Sequence, residues 1–180
     1  MLPVHAKHIL DLRNEPSPEQ IATQVHLDCK AQNYAQVCFA GVGDPLLRLS
    51  NLEQAAKLIK QDQPAIPLRV NTNGLVTSGD CDNVARRLIS CGIEAVSIAM
   101  ATANSKQYNL LMCPERLRIS PVYSLDLTHD DVVSFVRACV STGLNVECTA
   151  VENPKVDLNA VRELAHELGA GFRSRSWHPN

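Results

Sequence analysis

No two of the seven cysteines (29, 38, 81, 91, 113, 139 and 148) stand at CxxC spacing, so the sequence carries neither a zinc-finger pattern nor a disulfide frame. They fall singly, several of them in apolar runs, and are expected to be reduced core residues. The opening from Met1 to Leu12 lacks an apolar run, which argues against a secretory signal or a membrane helix and makes a soluble, cytoplasmic location the expectation. Charge of neither sign is in excess: 17 Lys and Arg against 19 Asp and Glu give a formal net charge of -2, no electrostatic ground for a nucleic-acid surface. The dinucleotide fingerprint fails after Gly41-Val42-Gly43, because Leu46 stands where its third glycine belongs, and no GxxxxGK[ST] loop occurs. Nor do the six histidines form HExxH or another pair at metal spacing; His166 lies in a helix, and His5 and His8 in the irregular opening segment. No low-complexity run or hinge-like linker divides the 180 residues, so we expect one domain over 17–180 preceded by an irregular segment over 1–16.

What the chain does have is one grammar repeated: apolar strand, polar turn, amphipathic helix. Ser17-Pro18-Glu19-Gln20 reads as a capping box opening a helix that ends near Asn33, with Ile21, Val25 and Cys29 on one face. A strand over Ala35 to Ala40 follows, then a second capping box at Ser50-Asn51-Leu52-Glu53 and a helix bearing Leu52, Ala55, Ala56 and Ile59. Leu68 to Asn71 is a strand. Asp80 caps a helix whose apolar side is Val84, Leu88 and Ile89, stopped by Gly92 before a strand over Ile93 to Met100. From Ala95 onward that strand is apolar except for Ser97, as expected where both faces are covered. Asn104 to Met112 is a short helix and Glu115 to Leu127 an irregular connection; a helix capped by Thr128, a strand over Leu144 to Val151, a helix capped by Asp157 and a strand near Phe172 to Ser174 complete the chain.

Alternating strands and helices imply parallel pairing and an α/β fold, either an open doubly wound sheet or a partial barrel of βα units. In both, ligands bind at the carboxyl ends of the strands. Those ends collect Gly41, Gly43 and Asp44; Asn71, Thr72, Asn73 and Gly74; Ser97; Glu147, Thr149 and Glu152; and Arg173, Arg175 and Trp177. Amide, hydroxyl, carboxylate and guanidinium groups over an apolar floor suit a zwitterionic, ribose-bearing small molecule.

The ordered motifs resemble the radical S-adenosylmethionine (SAM) superfamily, and within it the branch associated with TatD-type nucleases. The resemblance runs from about Ile9 to Trp177 and rests on Phe39 to Arg48, a glycine-rich acid-proline segment; Leu68 to Leu75; Val96 to Ala99; Tyr108-Asn109-Leu110; Thr149-Ala150-Val151; and Phe172 to Arg175. It implies a partial parallel βα barrel, an incomplete TIM-like core, holding SAM across its top. By that resemblance Gly41, Gly43 and Asp44 would meet the methionyl amino group, and Asn71, Asn73, Ser97, Thr149 and Arg173 would line the rest. Asp44 stands where the family usually has glutamate.

The family's reductive cleavage of SAM also requires a four-iron, four-sulfur (4Fe-4S) cluster on a CxxxCxxC loop. Lys7 to Glu15 resembles what normally follows that loop, and Cys29 and Cys38 cannot replace it, so first strand and cluster loop are expected to be missing and the polypeptide as written inactive. The alternative reading is a cluster-less SAM-binding or partner-docking module without catalysis; a third is an unrelated α/β domain with no site. The TatD association points to a nucleic-acid context that the charge balance does not support, and an uncovered first strand would leave a sheet edge open to self-association.

Overall fold

The computed structural model describes residues 15–41, 43–76, 79–112 and 128–177. Most of the irregular segment over 1–16, with His5 and His8, and Val42, Cys113 and the connection from Glu115 to Leu127 lie outside the described residues.

Five strands form one sheet: β1 (Val37–Phe39), β2 (Leu68–Thr72), β3 (Ala95–Ala99), β4 (Asn145–Val151) and β5 (Gly171–Arg175). All four pairings are parallel and the spatial order is the chain order, β1 to β5. A doubly wound sheet must reverse direction at a switch point; an unreversed order with right-handed crossovers puts every helix on the same side and curls the sheet as in a βα barrel. Among the described residues β1 and β5 each pair with a single neighbour, so the barrel they form is partial.

Strand alternation separates two chemistries. Val37 and Phe39, Leu68 and Val70, Val96 and Ile98, and Val146, Cys148 and Ala150 share one face and join the hydrophobic core, where the helices pack. The opposite, concave face carries Cys38, Arg69, Asn71, Ser97, Glu147, Thr149, Arg173 and Arg175. β3 is buried on both faces as expected, but only one cover is helical: on the concave face its small residues lie under side chains reaching over from β2 and β4.

The helices are α1 (Pro18–Ala31), α2 (Leu49–Asp62), α3 (Cys81–Ser90), α4 (Ser105–Met112), α5 (His129–Ser141) and α6 (Leu158–Glu167). α1 packs on α2, α3 on α5, and α6 on β4 and β5. The α1 capping box is present, Ser17 Oγ accepting from Gln20 N and Gln20 Oε1 from Ser17 N. Asp157 caps α6 by accepting from the amides of Asn159 and Ala160, and the Asp131 carboxylate closes the start of α5 on the amide and hydroxyl of Thr128. Gly92 ends α3 with φ +94°, where a side chain would meet the Lys60 stem at 2.9 Å.

Two expectations need correction. The second capping box does not form: a 3-10 turn over Pro45–Arg48 runs straight into α2, so Ser50 is already inside the helix, and Ser50 and Glu53 instead accept from Arg87 of α3 at 3.2 Å and at 2.8 and 2.7 Å. Ile89 is exposed, because the inward stripe of α3 is Cys81, Ala85 and Leu88. Four of the six described cysteines (81, 91, 139 and 148) are buried; Cys29 is half-buried and Cys38 exposed. Among the described residues no helix is long and apolar enough to cross a membrane.

Candidate functional site

β1 delivers the chain to Gly41 and Gly43, and Asp44 then turns it into the 3-10 helix. Gly43 has φ +91°, and a Cβ at Gly41 or Gly43 would meet nothing within 4 Å, so this backbone faces open space. The neighbouring strand ends enclose that space: a cavity of about 440 Å³ is lined by Ala40, Gly41, Gly43, Asp44, Asn71, Thr72, Asn73, Ser97, Ala99, Thr149, Arg173 and Arg175. All eight residues singled out by the resemblance, Gly41, Gly43, Asp44, Asn71, Asn73, Ser97, Thr149 and Arg173, lie on this one wall. Gly74, Glu147, Glu152 and Trp177, which the alignment of strand ends also collected, do not.

Asp44 is busier than a ligand contact requires. Its carboxylate accepts from Leu46 N at 2.9 Å, from Thr72 Oγ1 at 2.8 Å and from Asn73 N at 2.7 Å. A carboxylate offers about four acceptor positions, so three are spent inside the protein and the side chain works mainly as a staple between the β1 loop and the end of β2. Thr72, buried at 6% exposure, passes the constraint on by accepting from Gly74 N at 3.0 Å, and Asn73 Oδ1 accepts from Leu75 N at 2.9 Å. The Asn73 amide nitrogen is left for the cavity.

Beneath the cavity runs a second network, which only partly figured in the sequence reading. Arg69 Nη1 donates to Ser97 Oγ at 2.7 Å and to Glu147 Oε1 at 3.2 Å; Ser97 Oγ donates to Glu147 Oε1 at 2.9 Å; Arg173 Nε donates to the same oxygen at 2.9 Å. Burial pushes the Glu147 carboxyl up, but the hydrogen bonds from Arg173 and Ser97 and the charges of Arg173 and Arg69 outweigh it, and its pKa lies below the usual range. Ser97 and Arg173 thus reach the cavity already oriented. Arg69 was not proposed as a site residue; its signal was the alternation Leu68-Arg69-Val70-Asn71, which puts it on the same face as Asn71. Arg175, which lines the cavity and is exposed, has no side-chain hydrogen bond or ion pair among the described residues.

A larger hollow of about 690 Å³ lies at the starts of α4 and α6, lined by Thr102 to Gln107, Lys155, Asp157 and Ala160. Its helix-end amides are already capped by Asn104 and Asp157.

No family model matches the sequence. Over 91 residues, 50% of this chain and 19% of the relative, it is 30% identical to the FeMo cofactor biosynthesis protein NifB of Klebsiella pneumoniae. The fold is similar to that of the radical S-adenosylmethionine methyltransferase TsrM from Kitasatospora setae, solved with a tryptophan substrate and a SAM analogue bound. That match has a TM-score of 0.56 at 16% identity, and covers 88% of this chain and 30% of the other. The TsrM likeness speaks to the fold alone, and the chain spans less than a third of either protein.

Proposed function

We propose that this chain is a SAM-binding partial barrel of radical SAM type, whose ligand lies across the carboxyl ends of β1 to β5. The observation that carries this reading is convergence: residues from five separate strand ends, chosen on sequence motifs, line one cavity. The groups present fit the ligand. The open backbone at Gly41 and Gly43 would take the methionyl amino group, and Asn71, Asn73, Ser97, Thr149 and Arg173 would line the rest of the pocket, with Arg175 at its far end. Asp44 contributes chiefly by holding Thr72 and Asn73 in place. Within the superfamily, the ordered motifs from Phe39 to Arg175 support the TatD-associated branch.

The 4Fe-4S cluster is a different matter. Among the described residues no group of three or more His, Cys, Asp or Glu side chains could hold a metal ion. Cys38 is moreover a poor thiolate, since burial pushes its thiol up and the charge of Arg69 only partly opposes this. The described residues do not fit the cluster, and no step of radical formation is assigned to them; what they support is binding.

Isothermal titration calorimetry with SAM and with methylthioadenosine, which lacks the amino-acid part, tests the reading. Saturable SAM binding that is lost in Asn73→Ala supports it; no heat with either compound overturns it in favour of a bare scaffold.

A further inference from the structure

We infer that the open edge of β1 is a self-association site, at which two copies of this chain pair their β1 strands antiparallel about a twofold axis at Cys38. Among the described residues β1 pairs with β2 alone. The Val37 amide donates to Pro67 O at 3.0 Å, towards β2, so alternation turns the N–H and C=O of Cys38 to the open side. One outward-facing donor and acceptor at the middle of a three-residue strand is twofold symmetric in itself: each copy's Cys38 amide meets the carbonyl of the other.

The two edges of the sheet differ in a way that selects this one. β5 alternates Arg173 and Arg175 along its length, the charge by which an edge is kept from pairing. From Ala31 to Gly43, by contrast, there is no charged residue and no proline. Antiparallel pairing centred on Cys38 therefore brings no like charges opposite one another, and it sets Val37 beside Phe39 of the second copy twice over. Both side chains lie on the helix-covered face, beside an apolar trough of about 460 Å³ lined by Ile21, Val25, Val37, Phe39 and Leu52 among others. A short strand with one trough per copy makes a small interface, so the dimer is weak and concentration-dependent.

Sedimentation equilibrium over about a hundredfold range of concentration reads the association directly. The wild type is expected to show a monomer–dimer equilibrium. Cys38→Lys sets two ammonium groups opposite each other across the axis and should weaken it at least about tenfold. The side chain at 38 is exposed, so circular dichroism should show a folded variant. A second measurement needs no variant. Opposed residues of a hydrogen-bonded antiparallel pair stand about 5.5 Å apart between Cα atoms, within disulfide reach, so mild oxidation of the wild type should yield a Cys38–Cys38 linked peptide by mass spectrometry. A wild type that stays monomeric throughout overturns the proposal. So does a dimer that Cys38→Lys leaves intact, or a covalent dimer joined through other cysteines. None of these outcomes depends on SAM binding.

Discussion

Asp44→Ala tests whether the loop after β1 and the end of β2 act as one unit. The substitution removes the acceptor of three donors. Leu46 N, at the start of the 3-10 helix, loses its cap at a cost of about 0.5–1 kcal/mol. Asn73 N and Thr72 Oγ1 are partly buried and lose a charged acceptor at 2.7 and 2.8 Å, about 1.5 kcal/mol each at the lower end of the charged hydrogen-bond range. The total, about 3.5–4 kcal/mol, compares with roughly 10 kcal/mol for a domain of this size, so the variant should fold and be measurable. Urea denaturation followed by circular dichroism gives the loss, and Thr72→Val gives the second arm of a double-mutant cycle. The two should be non-additive by about 1 kcal/mol or more, since Thr72 is held by Asp44 and in turn holds Gly74 N. Hydrogen exchange at the Asn73 amide should rise in Asp44→Ala. Additive losses, or a single-variant loss under about 1 kcal/mol, would refute the staple.

Three further outcomes follow from the same geometry. Gly74→Ala forces a residue with φ +72° to carry a Cβ 2.7 Å from Ile98 Cγ2, so thermal unfolding should show a loss of about 2–4 kcal/mol; a neutral result would mean that the turn has another shape. Glu147→Gln weakens the network under Ser97 and Arg173 by about 1–2 kcal/mol at neutral pH. Because the folded-state pKa of Glu147 lies below its unfolded value, its contribution is fully present above the unfolded pKa and is lost as pH falls through the folded one. Urea titrations of wild type and variant should therefore converge in acid and differ most at neutral pH; a pH-independent difference would contradict the assignment. Thiol labelling of the native protein should modify Cys38 but spare Cys139 and Cys148, which are fully buried and whose pKa values burial pushes up to about 12; both should react once urea unfolds the chain, and native-state labelling at equal rates would refute the packing.

The fold was largely legible because its signals are local. Capping residues at Ser17 and Asp157 and the glycine at 92 each act within a turn of the helix they bound, and a sequence displays such neighbours directly. The second capping box misled because Ser50 and Glu53 satisfy the pattern while serving another partner: Arg87, far along the chain, claims both. Likewise the length of the 3-10 turn depends on Asp44 bonding Leu46 N, a competing cap upstream of the one that was expected. Strand order, which separates a barrel from a doubly wound sheet, is a long-range property that alternation of strands and helices alone leaves open.

The site was legible as a set of positions and not as a division of labour. Motifs named the residues that line the cavity, but the side chains with most chemical character are committed within the protein: Asp44 to Thr72 and Asn73, Ser97 to Arg69 and Glu147, and Arg173 to Glu147. In and beneath the cavity the acids Asp44 and Glu147 face the bases Arg69, Arg173 and Arg175. Arg175 has no ion pair among the described residues and lines the cavity at the β5 end, where the Glu152 carboxylate accepts from Ser174 Oγ at 2.8 Å. A ligand that brings a carboxylate to that end offers Arg175 an ion pair, whereas one that presents only an amine does not.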